Sequence, residues 1–287
     1  MFVVTGSTGQ VGGVVARTLL EAGLPVRVVV RDVDKGAAWK ARGCAVAVVP
    51  DAADAEALAA AFAGAAGVFL MNPPNYDPAP DFPESRRAAA ATAWAVGEAL
   101  PGRVVLLSTV GAQATAFNLL NWAGFFETAL AGTGLPIALL RAAWFMENAA
   151  WDLPAAREGH IASYLQPVDR AIEMVSTHDV GRTAADLLRE DWAGPRIIEL
   201  AGPRKYSPSD EAAGLSAALG RPVEAVAVPR ETWEARFRAE GMRHPEARIA
   251  MLDGFNEGWI DFARESAEHR TGTVAFETVL RHIVEDG

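Results

Sequence analysis

The chain has 287 residues, 51% of them apolar, and a formal net charge of −10; this length and composition fit a packed core, so disorder is not the default expectation. The negative balance, with no basic stripe interleaved with aromatics, argues against direct nucleic-acid binding. No apolar run reaches the length of a membrane span and the first residues enter a strand pattern directly, so a cytoplasmic protein with no membrane contact is expected.

The first expected strand, Phe2–Thr5, begins a series of short β-branched segments that continues through Val26–Val30, Ala45–Val49, Gly67–Met71, Val104–Ser108 and Ile137–Leu140. Ala- and Leu-rich stretches of helical period separate them. Such βαβ alternation predicts a Rossmann-type α/β fold, a doubly wound parallel sheet covered on both faces. Between the first two strands, Val11, Val14, Val15 and Leu19 mark the apolar side of a helix that Gly23 and Pro25 end. Cys44, with no second cysteine to pair with, heads the third segment and reads as an inert core thiol.

After Asn148 the rhythm changes to a Pro-bearing irregular region with short strands near Ile161 and Ile172. A capped helix is expected from Ser176-Thr177-His178-Asp179, followed by a strand, Ile197–Ala201, that rejoins the sheet. Beyond Gly202, helices around Leu215–Leu219, Trp233–Phe237 and Ile249–Phe255 predict a smaller, mainly helical lobe. Residues 1–150, joined by about 176–201, should therefore form a cofactor-binding domain, with 151–175 and 202–287 as a substrate-side lobe and the pocket between them.

The phosphate-binding signal is specific because of its place. Gly6-Ser7-Thr8-Gly9-Gln10-Val11-Gly12 puts three glycines at G-x-x-G-x-x-G spacing between a strand and a helix. Gly6 allows the turn, Gly9 the approach of a diphosphate, and Gly12 close packing of helix on strand. The helix N-terminus then presents free N–H groups and partial positive charge. Arg31 stands at the tip of the second strand, where a guanidinium would pair with a 2′-phosphate, and Lys35 lies one helical turn on. This selects NADP(H), with NAD(H) as the weaker alternative because Asp32 follows at once. A P-loop is excluded, since none of Lys35, Lys40 and Lys205 follows a glycine in G-K-[ST].

With these motifs the chain resembles the NmrA-like group of atypical short-chain dehydrogenase/reductases, which includes quinone reductases and catalytically silent NADP sensors. The resemblance runs nearly end to end, through the glycine segment, Val30-Arg31-Asp32, Leu107-Ser108-Thr109-Val110-Gly111-Ala112, Leu140-Arg141-Ala142-Ala143-Trp144-Phe145-Met146-Glu147-Asn148 and Gly202-Pro203. It implies that Asn72, Pro73 and Ser108 line the nicotinamide-ribose side and that Ala143, Trp144 and Phe145 border the ring. A packing role for Trp144 and Phe145 is equally compatible with their position.

Most short-chain dehydrogenases use a Tyr-x-x-x-Lys pair as proton donor. Here Tyr76, Tyr164 and Tyr206 are followed four residues later by Pro80, Val168 and Asp210; counting back from Glu127, the family match in that helix, the resemblance implies that Leu119 and Ala123 would occupy the two places. Losing a positioned acid typically forfeits about 10²–10⁴-fold in rate, so unactivated ketones should be poor substrates. Hydride transfer to an activated acceptor, such as a quinone, enone or iminium ion, remains accessible, with Ser108 or water as proton source and Asn118, Trp122, Trp144 and Phe145 as acceptor contacts. Asn121 is a further candidate there. The alternative is a redox sensor that binds NADP(H) and reports to a protein partner without turnover. An extended-type epimerase is disfavoured by the same missing pair. The five histidines show no metal-ligand spacing, and no metal is expected. The oligomeric state stays open, a homodimer included.

Overall fold

The computed structural model describes residues 1–263, 265 and 267–287. In chain order the first half comprises β1 (Phe2–Thr5), α1 (Gln10–Glu21), β2 (Val26–Val30), α2 (Val33–Ala41), β3 (Ala45–Val48), α3 (Ala55–Phe62), β4 (Gly67–Leu70), α4 (Pro83–Ala99), β5 (Val104–Thr109), α5 (Asn121–Ala131) and β6 (Ile137–Ala142). The second half continues with β7 (Trp144–Phe145), a 3-10 turn (Met146–Trp151), α6 (Leu153–Arg157), β8 (His160–Ser163), β9 (Ile172–Val175), α7 (Thr177–Arg189), β10 (Arg196–Ala201) and β11 (Lys205–Tyr206). It ends with α8 (Pro208–Leu219), β12 (Glu224–Ala227), α9 (Trp233–Ala239), α10 (Glu246–Glu257), β13 (Glu268–Thr271) and α11 (Phe276–Asp286).

The main sheet has eight strands in the order β13-β10-β6-β5-β4-β1-β2-β3, all paired in parallel. The order reverses at β1, the topological switch point where such sheets bind ligands beyond their carboxyl ends. Both faces are covered. On one, Val11, Val15 and Leu19 of α1 pack with Trp39 of α2 and Val180, Leu187 and Leu188 of α7; on the other lie Leu58 and Phe62 of α3, Ala95 and Val96 of α4, and Phe126 and Leu130 of α5. Central strands buried on both sides explain their uninterrupted apolar runs.

One expectation needs correction. The stretch after Gly202 is not wholly outside the sheet, because β13 extends its edge, with Ile198 opposite Glu268 and Ala201 opposite Thr271. The lobe is mainly helical, with short strands near Ile161 and Ile172 as expected; β12 pairs with β8, and β9 lies between β11 and β7. Cys44 is buried as expected, and burial pushes its thiol pKa up against the opposing charge of Arg42. Its neighbours in β3, however, form an edge strand whose Ala45 and Val48 are exposed. No helix among the described residues is long and apolar enough to cross a membrane.

In the lobe, Asp152 at the start of α6 meets Glu211 of α8. Burial pushes Asp152 up to about 6, against the bond to Glu211; burial first and the Asp152 charge second push Glu211 up to about 8. Folding therefore binds protons here: the stabilisation is complete below the ordinary carboxylate range and is lost as pH rises through these values. We expect the thermal midpoint to fall between pH 5 and pH 8, and Glu211→Gln to flatten that fall. An unchanged slope in the variant would remove the pair as its cause.

Candidate functional site

The glycine loop connects β1 to α1 and is shaped by backbone sterics. Gly6 has φ +64°, and a Cβ there would sit 2.0 Å from the Met71 sulfur. A Cβ on Gly12 would lie 2.3 Å from the Gly6 carbonyl oxygen and 2.8 Å from that of Thr5, so only glycine lets α1 start this close to the strand. At Gly9 the nearest atom to an added Cβ is 3.4 Å away, so the fold itself places little demand on this glycine. The Thr5 hydroxyl ties the loop to the adjoining strand, donating to the Phe69 carbonyl at 3.2 Å and accepting the Met71 amide at 3.0 Å.

Helix α1 has no side-chain cap at Gly9 and no acidic residue in its first turn. Its leading N–H groups and the positive end of its dipole therefore stay available to an anion. Within the loop, the Ser7 hydroxyl oxygen is buried with no hydrogen-bond partner among the described residues. An unpartnered buried polar atom, uncapped amides and a glycine the fold does not require are what a dinucleotide diphosphate would complete. The residues present therefore fit the cofactor.

Gly6, Thr8, Gly9, Arg31, Asn72 and Pro73, expected from sequence to bind cofactor, line one cleft of about 230 Å³ at the carboxyl ends of β1, β2 and β4. Apolar side chains of Val49, Leu58 and Phe62 extend it inward. Arg31 is exposed at its rim. The competing acid is otherwise engaged: Asp32 caps α2, accepting the Asp34 amide at 3.0 Å. Lys35 is exposed on α2 and is not among the residues lining this cleft. Val11 points into the core, and Gln10 lines a separate cavity of about 610 Å³ between the starts of α1 and α7 and helix α11.

Toward β5 and β6 the structure differs from the sequence reading. Ser108 is buried, and its hydroxyl donates to Glu127 Oε1 at 2.5 Å. The same carboxylate accepts two bonds from Arg141, Nε at 3.0 Å and Nη2 at 2.7 Å. The sequence offered Ser108 as a proton source, but its proton is already held by a carboxylate inside an enclosed ion pair. Asn118 is fully buried and accepts the Leu120 amide at 2.7 Å while donating to the Ala116 carbonyl at 2.8 Å. Those bonds close the loop ahead of α5, and the buried amide presents no exposed surface to a ligand. Asn121 completes the same loop, accepting the Asn118 amide at 2.8 Å.

Ala143 is buried and donates its amide to Leu200. Trp144 is half-buried, edge-on to Phe255 at 5.3 Å; Trp122 meets Phe126 at 6.2 Å, and Phe145 packs on the core beneath α1 and α7. These rings thus all have packing partners. Leu119 and Ala123 are both buried. Sequence reasoning missed Glu127 as the partner of Ser108, and also Tyr76 and Trp151, whose rings touch although nothing in their spacing signals it. No group of three or more potential metal ligands occurs among the described residues.

A family profile described as NAD(P)H-binding matches residues 6–191. The chain is 29% identical over 259 residues to an NAD(P)H azoreductase of Xenophilus azovorans, covering 90% of this chain and 85% of the relative. It is 31% identical over 279 residues to a (4-alkanoyl-5-oxo-2,5-dihydrofuran-3-yl)methyl phosphate reductase of Streptomyces griseus subsp. griseus, covering 96% and 89%. Among solved structures, an NADPH-dependent quinone oxidoreductase of Escherichia coli complexed with NADPH superposes with a TM-score of 0.80 over 99% of both chains, at 22% identity, and so shares the fold.

Proposed function

The chain belongs to the NAD(P)H-binding family, and we propose that it is an NADPH-dependent reductase of activated acceptors such as quinones, enones or iminium ions. The observation that carries this reading is the glycine loop, with its uncapped helix and unpartnered Ser7 hydroxyl, opening into a cleft with Arg31 at the rim. Support also comes from relatives that reduce conjugated acceptors by name, the azoreductase among them. When bound, the reduced nicotinamide supplies a hydride.

The chain's own contribution is to hold and orient. Amides of the first turn of α1 would bind the diphosphate, and Arg31 would pair with the 2′-phosphate, Asp32 being engaged as a helix cap. A quinone needs one hydride and one proton to become the quinol. With Leu119 and Ala123 in the donor positions and Ser108 bonded to Glu127, that proton comes from water in the cleft. Water suffices only where the acceptor is electron-poor enough to take the hydride without a positioned acid.

The test is to mix purified protein, NADPH and a naphthoquinone and follow loss of the reduced nicotinamide absorbance. Oxidation well above the enzyme-free rate is expected. Tight NADPH binding with no turnover of any quinone, enone or iminium would overturn the reductase in favour of a sensor.

Cofactor choice has its own check. Arg31→Ala should weaken NADPH by about 10–100-fold, the range of a charge-assisted hydrogen-bond pair, and leave NADH nearly unchanged. Equal losses for both nucleotides in a fluorescence titration would remove Arg31 from the 2′-phosphate.

A further inference from the structure

In the main sheet β4 and β6 flank β5, β7 follows directly on β6, and the segments that leave β4 and β7 meet in one aromatic contact. After β4, the segment past Asn72 and Pro73 brings Tyr76 out; after β7, the 3-10 turn ends at Trp151. Their rings stand edge to face, centroids 5.8 Å apart and planes at 90°. The contact therefore joins the segment that follows β4 to the one that follows β6 and β7. With Arg31 marking the adenosine end of the cleft beyond β2, the nicotinamide end lies on the opposite side of the glycine loop, toward this bridge.

The pair is not core. Tyr76 is 47% and Trp151 61% exposed, and neither belongs to any of the four apolar clusters formed by the described residues. Yet the segment is fastened. Asp77, next to Tyr76, accepts the His244 amide at 2.6 Å and the Arg243 amide at 3.0 Å, tying it to the turn between α9 and α10. Asn75, on the other side of Tyr76, accepts the Asp77 amide at 3.1 Å. Two large aromatic rings are thus held next to the segment whose Asn72, Pro73 and Pro74 line the cleft, by polar anchors instead of by apolar packing.

An edge-to-face pair leaves ring faces open to a third aromatic group, and flat, electron-poor rings stack well on indole and phenol. We propose that Tyr76 and Trp151 form an aromatic clamp that selects flat, ring-containing acceptors over small acyclic ones at the nicotinamide end of the cleft. This rests on the reductase reading for the identity of the site and adds the acceptor class. The rings touch the acceptor and set its affinity; they take no part in proton transfer. Fastening through Asp77 keeps the clamp formed before the acceptor arrives, so little ordering entropy opposes binding.

The experiment reads binding apart from turnover. A naphthoquinone is titrated into protein saturated with NADP⁺, following tryptophan emission, in wild type, Trp151→Phe, Tyr76→Phe and the double variant Tyr76→Ala/Trp151→Ala. Wild type should show quenching that Trp151→Phe largely loses. By competition or calorimetry the Phe variants should keep wild-type affinity, and the double alanine variant should bind the naphthoquinone about tenfold more weakly. NADP⁺ affinity should be the same in all four. Unchanged naphthoquinone affinity in the double alanine variant, or Phe variants as weak as alanine, would overturn the clamp, as would no binding to wild type. Quenching and weakening as expected without NADPH oxidation would retain the clamp and sink the reductase.

Discussion

Gly12→Ala should both destabilise the protein and abolish cofactor binding, whereas Gly9→Ala should do only the second. The new methyl on Gly12 would lie 2.3 and 2.5 Å from the carbonyl oxygen and carbon of Gly6 and 2.8 Å from the oxygen of Thr5. All three are backbone atoms, so no rotamer change relieves the clash, and α1 must move away from β1. That helix is also pressed on its other side, where Gly181 of α7 allows Val14 and the Val11 carbonyl to approach closely. We expect a loss of about 3 kcal/mol, the upper part of the range for overpacking, seen as a lower denaturant midpoint. NADPH affinity should fall by at least about 100-fold, equivalent to about 2.7 kcal/mol, because the amides of the first turn leave their positions together.

At Gly9, by contrast, an added methyl meets protein only at 3.4 Å. Gly9→Ala should keep its midpoint close to wild type, losing a few tenths to about 1 kcal/mol at a helix cap, and still bind NADPH poorly. The contrast separates the glycine that the fold needs from the one the ligand needs. Wild-type NADPH affinity in Gly12→Ala would show that the cradle is not the binding site.

The central sheet was legible because its strands are buried on both faces and so read as apolar runs, and because the glycine loop lies in register between a strand and a helix. β13 was not, since Glu268-His269-Arg270-Thr271 is an edge strand paired on one side only and carries no apolar signature. The candidate cofactor half of the site could be read for a related reason: Gly6 and Gly12 are set by backbone sterics, and they and Arg31 occupy positions that local sequence fixes. The acceptor half depends on where chains far apart in sequence meet. Ser108 looked like a free hydroxyl until the pairing of β5 with β6 set it opposite Arg141, with Glu127 above both. Asn118 looked like a ligand contact because an asparagine that closes its own loop has the same one-letter signal as one that faces a substrate. Tyr76 and Trp151 carry no periodicity that links them.

Arg141→Met should be among the most destabilising single changes in the chain. Glu127 and Arg141 join α5 to β6 in a two-pronged ion pair, and both side chains are about nine-tenths buried, with 10% and 7% exposure. Removing the guanidinium leaves a buried carboxylate with, among the described residues, only the Ser108 hydroxyl to answer it, at a cost of about 3–5 kcal/mol. Replacing both partners removes the orphan: Glu127→Leu/Arg141→Met should recover most of that loss, because a buried pair is often no more stabilising than apolar residues of similar volume. A double variant as unstable as the single one would mean that the pair itself, and not the stranded charge, sets the stability. The same comparison bears on the proposed function, since the pair holds Ser108 near the carboxyl end of β5, on the side where the resemblance would put the nicotinamide. If the ion pair only braces the scaffold, the double variant should regain NADPH affinity along with its stability. Stability regained without affinity would give the buried charges a direct part in shaping the cleft.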